Sequence, residues 1–467
     1  MAMGKRQRQQ QNSMWVSHEQ LPRSKGHAFY EAVNQLLDGH GFDDWVEQAC
    51  RPFYADQIGR PGVPPGIYFR CLLVGYFEGI DSERGIAWRC CDSLSLRQFL
   101  GLPLIEDPPD HSTLSRTRRL IDLETHTRVF QWMLKVLASH DLLKGKTAGI
   151  DATTLEANAA LKSIVRRDSG ESYDEFLTRL AIESGIETPT RQDLAKLDKK
   201  RKNKGNNDDW EHPHDPDARI TKMKDGRTHL AHKMEHAVDF NPGARGLAVT
   251  VQGADQGDTT TWRQTFEQAC TNVHVVKEDP VTADQVHDST LEELVMDKGY
   301  HSPGAPGCTD LLEIGTRGYI SEPDRGRRKW KDKEEARDAV YGNRRRIKGN
   351  RGKALMRQRG ELLERSFAHV LDTGSMRRVH LRGSQNILKR ILIQVVGFNL
   401  GLLMRQLLGH GKPRALQGRR GLLTALCWAG YTLILAAMAL FNAAKTRVSL
   451  ARQQIRQPSA IHHLATA

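Results

Sequence analysis

TAGIDATTL, residues 147–155, decides the fold. It is a run of small and β-branched residues, and strand alternation sends Ile150 and Ala152 to one face and Asp151 and Thr153 to the other. Working outward, THLAHKMEHAVDF (228–240) and GLAVTVQGA (246–254) flank turn residues 241–243 and read as a hairpin. A helix follows in TTTWRQTFEQACTNV (259–273), then a short strand, ELVMD (293–297), and another, RGYISEP (317–323). Strands mixed with helices in this order predict an α/β class, a mixed sheet with helices on its faces.

Upstream, residues 1–145 read as helices. Phe29, Val33, Leu36 and Leu37 share one helical face, and Pro64 and Pro65 open a buried helix over IYFRCLLVGYF (67–77). In DPPDHSTLSRTRRL (107–120), Asp110 or Ser112 offers an N-cap and the next helix carries Arg116, Arg118 and Arg119. That suits a helix-turn-helix-like DNA-binding unit, and equally a plain helical bundle. Residues 156–226 interrupt the strands as an insertion, with capping boxes at Ser172/Glu175 and Thr190/Asp193 and a basic loop, KKRKNKGNNDD (199–209). Residues 146–405 then form the sheet domain and 406–467 a C-terminal helical region.

A chain of 467 residues suggests about three domains, and its net charge of +13 favours a polyanionic partner. Its seven cysteines form no CxxC pair, and MAMGKRQRQQQNSMW at the start has no apolar core. A cytoplasmic, nucleoid-associated protein is the expectation. The uncharged run Gly421–Phe441 is long enough to span a bilayer, but a buried helix or dimer contact is expected and no membrane.

The chemistry centres on Asp151, mid-strand with apolar neighbours on the opposite face, and Asp297, which ends a strand next to a glycine turn. Carboxylates gathered at one sheet edge repel, and a hard divalent cation neutralises them. A third acid is expected from RGELLERSFAHVL (359–371), where Glu364 lies beside the apolar stripe of Leu363, Phe367 and Val370 and is expected to turn inward, with Glu361 nearer solvent. Between Tyr341 and Gly360 stand eight Lys or Arg residues and no acid. Arg344, Arg345, Arg346, Lys348, Arg351, Lys353 and Arg357 there, with Lys298, Arg365, Arg377, Arg378 and Arg382, are expected to track a phosphate backbone; Lys389 and Arg390 extend that basic stretch.

GIDATTLEANAA around Asp151, DPDARITKMKDGRTHLAHKMEHAVD from Asp215, VMDKGYHS around Asp297 and ERSFAHVLDTGSMRRVHLRG from Glu364 together resemble bacterial insertion-sequence transposases of the DDE superfamily. RPGVPPGIYFRCLLVGYFEGIDSERGIAW and DPPDHSTLSRTRRL resemble the N-terminal helical region of the same elements, so the resemblance covers about residues 50–405. It implies an RNase H-like catalytic domain, Mg²⁺ or Mn²⁺ as two ions, no small-molecule cofactor, double-stranded element-end and target DNA, and a homodimer. It also implies a triad of Asp151, Asp297 and Glu364, at intervals of 146 and 67 residues. Many such relatives carry a tyrosine and an arginine before the glutamate and a lysine after it. Here those places hold Arg357, Gly360 and Leu371, so phosphate contacts are expected from Arg357, Arg365 or Arg377.

Two other readings compete. One is a catalytically inactive DNA-binding regulator derived from a transposase. The other is a zinc peptidase through HKMEH, with His232, Glu235 and His236, which needs all three on one helical face. In a strand Glu235 points away from both histidines.

Overall fold

The computed structural model describes residues 17–416 apart from 18–20, 22–23, 25, 56–58, 60, 203, 242, 303–310, 312–313, 325 and 327. The basic leader, the run Gly421–Phe441 and nearly all of the C-terminal region lie outside the described residues.

Seven helices come first among the described residues: α1 (Ala28–Gly39), α2 (Phe42–Cys50), α3 (Pro65–Glu78), α4 (Glu83–Asp92), α5 (Leu94–Phe99), α6 (His111–Leu120) and α7 (Leu123–Ser139). Pro65 opens α3, where its missing N–H costs nothing, and Gly79 closes it at φ 69. Asp110 caps α6 by accepting from the Thr113 N–H at 2.6 Å.

The sheet follows. Strand β1 (Thr147–Glu156) leads into the insertion, with β2 (Val165–Arg166), α8 (Tyr173–Glu183), α9 (Arg191–Lys200) and β3 (Trp210–Glu211). Both expected capping boxes form, one at each helix start. The insertion has its own small core, in which Phe176 and Leu177 of α8 pack with Trp210, Ile220 and Leu230. Then come β4 (Arg219–Lys222), β5 (Thr228–Asp239), β6 (Arg245–Gly253), α10 (Asp258–Lys277), β7 (Glu293–Met296) and β8 (Arg317–Ile320). The strand path is β4-β5-β1-β7-β8, with β6 also on β5. Strand β5 is antiparallel to β1 and β6, whereas β7 and β8 run parallel to β1. The fold is therefore mixed α/β, as expected.

Three helices complete the described chain: α11 (Glu334–Lys348), α12 (Asn350–Phe367) and α13 (Ser384–Leu408). One sheet face carries α10, whose Thr265 hydroxyl meets Thr250 of β6 at 2.6 Å. The other carries α12 and α13: Ser366 of α12 meets His236 of β5, and the Asn399 amide of α13 bonds both the N–H and the carbonyl of Gly246. Helix α13 also packs on α3 and α7, so one contiguous apolar core runs from the N-terminal helices into the sheet. Its length and apolar character would suit a membrane span, yet the segment Ser384–Leu416 is mostly buried inside the protein.

Lys389 and Arg390 belong to that core and not to a phosphate track. Lys389 Nζ donates to the carbonyls of Arg118 and Ile121 at 3.1 and 2.7 Å, and Arg390 donates to that of Ile80 at 3.0 Å. Buried cations survive here because they satisfy carbonyls at the ends of α6 and α3.

Candidate active site

Strand pairing sets the level of the two aspartates. Thr147 pairs with Glu293, Ala148 with Leu294 and Gly149 with Val295. That parallel register carries the same 146-residue offset as Asp151 and Asp297, so continuing it brings Asp151, within β1, level with Asp297, the residue just past β7. Asp151 accepts the Ala152 N–H at 2.9 Å, and Asp297 accepts the Gly299 N–H at 2.8 Å at the start of a short 3₁₀ turn.

Between them lies a guanidinium. Arg359 of α12 donates through one terminal nitrogen to Asp151 Oδ2 at 2.8 Å, and the same nitrogen is 3.6 Å from Asp297 Oδ2. Burial pushes the Asp151 carboxyl up to about 6, and the charges of Asp297 and Asp258 push the same way; Arg359 and the Ala152 N–H oppose them. Asp258, the first residue of α10, borders the pair. A Cβ added at Gly299 would lie 2.6 Å from Asp258 Oδ2 and 3.0 Å from Asp297 Oδ1, so only glycine passes between these carboxylates. Asp258 is itself held by Lys233 Nζ at 2.6 Å.

Glu364 is placed differently from the expectation. It is exposed, and the positions of α12 that turn inward are Gly352, Leu355, Arg359, Leu363 and Ser366, spaced three or four apart. Glu364 follows Leu363 by one residue, about 100° around the helix. Glu361 lies on the solvent side as expected, paired with Arg365 at 2.5 Å. Among the described residues no group of three His, Cys, Asp or Glu side chains is close enough to share a metal ion.

The basic residues divide into tied and untied. Arg118 is buried against Glu83, and Arg351 pairs with Glu293. Arg344 grips Glu322 through two nitrogens, Arg377 pairs with Asp372 and Arg346 donates to the Gly318 carbonyl at 2.9 Å. Arg116 and Arg119 are exposed on α6 and bonded only within their own helix. Arg345, Lys348, Lys353 and Arg357 are exposed and have no acidic partner among the described residues; Lys298 is exposed beside Asp297. Arg378 and Arg382 line a cleft of about 470 Å³ between the insertion and the sheet, together with Glu156, His212, His214 and His229.

The HKMEH segment is strand, not helix. Glu235 turns to α10, accepting from Thr261, Thr265 and Tyr300 at 2.9, 2.5 and 3.0 Å. His232 bonds Asp215 and His236 bonds Ser366, both away from Glu235. Strand alternation therefore removes the peptidase geometry.

Arg359, Asp258 and Lys233 were not singled out by the sequence. Arg359 sits in a tract of eight like charges, and only its spacing of four before Leu363 marks it as inward.

Residues 16–120, which hold α1 to α6, match a family model described as Transposase domain (DUF772). The match supports a transposase family. No curated protein matches the chain.

Proposed function

We propose that this protein is a DNA transposase of DDE type, with an RNase H-like domain whose strand chemistry centres on Asp151 and Asp297. The observation that carries the reading is the parallel β1–β7 register, which brings two partly exposed aspartates to one level. The strand order, four strands in antiparallel pairing (β1, β4, β5 and β6) followed along the chain by two parallel ones after β6, and the N-terminal family match support it.

Two carboxylates, one within β1 and one at the end of β7, the first largely desolvated, are a donor set that fits Mg²⁺ or Mn²⁺, which take one or two carboxylates and leave other positions to water and phosphate oxygens. Such ions, when bound, supply activation of the attacking oxygen and stabilisation of the leaving one. Asp151 and Asp297 would hold them, and the third carboxylate is assigned to Glu364 on the resemblance alone. Exposed Arg345, Lys348, Lys353 and Arg357 hold the double-stranded backbone. Hydrolysis at the element end releases a 3′-hydroxyl. That hydroxyl then attacks a target phosphodiester, one bond forming as another breaks. The working form is a homodimer acting on chromosomal DNA in the cytoplasm.

The experiment is strand mapping on the element's flanking DNA with Mg²⁺. Asp151→Asn and Asp297→Asn should each abolish cutting and leave DNA binding intact. Wild-type cutting by either variant overturns the assignment.

A further inference from the structure

We propose that Arg359 is a built-in occupant of the catalytic centre, displaced by the divalent cation and then re-paired with a phosphate of the bound strand. The proposal rests on the metal-dependent reading above. One terminal nitrogen of Arg359 serves both Asp151 and Asp297, and its side chain is only 16% exposed. A guanidinium and a divalent cation seek the same two carboxylates, and both cannot occupy the space between them. Arginine does not solve this by losing its proton, since its guanidinium stays charged throughout the physiological range. It must move.

The surroundings fix how it moves. Downstream on α12, Leu363 lies over Gly149 and Ser366 bonds His236; upstream, Leu355 is buried and Arg351 is tied to Glu293. The helix is therefore anchored on both sides of residue 359, and the exchange falls to the side chain. Its hold is incomplete, because Nε is buried without a hydrogen-bond partner. Among the described residues the other acid that acts on Asp151, Asp258, is already clamped by Lys233. The anion left for the displaced guanidinium is a phosphate of the DNA, the group whose planar fork it matches. The paired acids thus keep a partial counter-charge without the cation, and a phosphate ligand is released when it binds. Arg359 is a positioning residue in this scheme.

The test uses the full chain and Mn²⁺, followed by electron paramagnetic resonance of the free ion. Arg359→Gln should bind Mn²⁺ about tenfold tighter than wild type, equivalent to ~1.4 kcal/mol. Without metal it should melt lower, because the paired acids lose their counter-ion. Arg359→Lys keeps the charge and should lie between the two, which preserves the test if the glutamine variant folds poorly. With Mn²⁺ present, Arg359→Gln should also lower the salt slope of DNA binding by about 0.9, one phosphate contact; without metal the slope should not change. Equal or weaker Mn²⁺ binding by both variants overturns the displacement, and an unchanged slope with Mn²⁺ overturns the re-pairing. If neither wild type nor variants bind Mn²⁺, the metal-dependent reading falls and this proposal with it.

Discussion

At Gly149 the missing side chain is what lets α12 lie against β1. A Cβ there would stand 2.4 Å from the Phe240 ring and 3.2 Å from Leu363. Gly149→Ala should cost about 1–3 kcal/mol in urea unfolding, the range for overpacking a filled core. A variant as stable as wild type would show that Phe240 yields freely. His126 supplies a pH test. Burial holds its imidazole down at about 4 against an ordinary 6.5, with Lys389 and Arg118 adding to the effect and Asp122 opposing it. Between those values the unfolded chain binds more protons than the folded one. The His126 contribution is therefore complete above 6.5 and is lost as pH falls through 4. His126→Gln should lose less stability than wild type between pH 7 and 5, the difference bounded by ~1.4 kcal/mol per pH unit. Parallel losses would place the acid sensitivity elsewhere. Asp151 and Asp297 were legible in the sequence because a carboxylate in strand text is conspicuous. Arg359 was hidden among like charges, since chemistry alone does not say which of them turns inward.

Helix α12 shows where sequence reading stops at the level of elements. Its existence and apolar stripe were readable, as were the capping boxes of α8 and α9, because these depend on residues a few places apart. The rotation of a helix on a sheet depends on what it meets. Leu363 found the gap over Gly149 and Ser366 found His236, and that left Glu364 toward solvent. Two glutamine variants test the proposed third ligand. Glu364→Gln should lose cutting and keep DNA binding, whereas Glu361→Gln, whose acid is paired with Arg365, should keep both. Activity in Glu364→Gln together with loss in Asp258→Asn would move the third carboxylate to the start of α10.

Across the whole molecule the basic surplus is not uniform. Among the described residues many arginines are held in internal pairs, so the proposed phosphate track narrows to the untied residues of α11 and α12. Replacing Arg345, Lys348, Lys353 or Arg357 with alanine should lower the salt slope of DNA binding by about 0.9 each, and Arg344→Ala by less, because Glu322 already holds it. Equal effects from tied and untied residues would refute that division. Helix α13 also fixes a timetable. The faces of α3 and α7 that it covers are made early, while the helix itself is made late; the bond from Arg390 to Ile80 closes a separation of 310 residues. At ~5–20 residues per second, a ribosome takes about 15–60 s to cross that gap. Throughout that time the apolar faces of the N-terminal helices stand uncovered on the nascent chain, within reach of chaperones and of neighbouring chains on the same message.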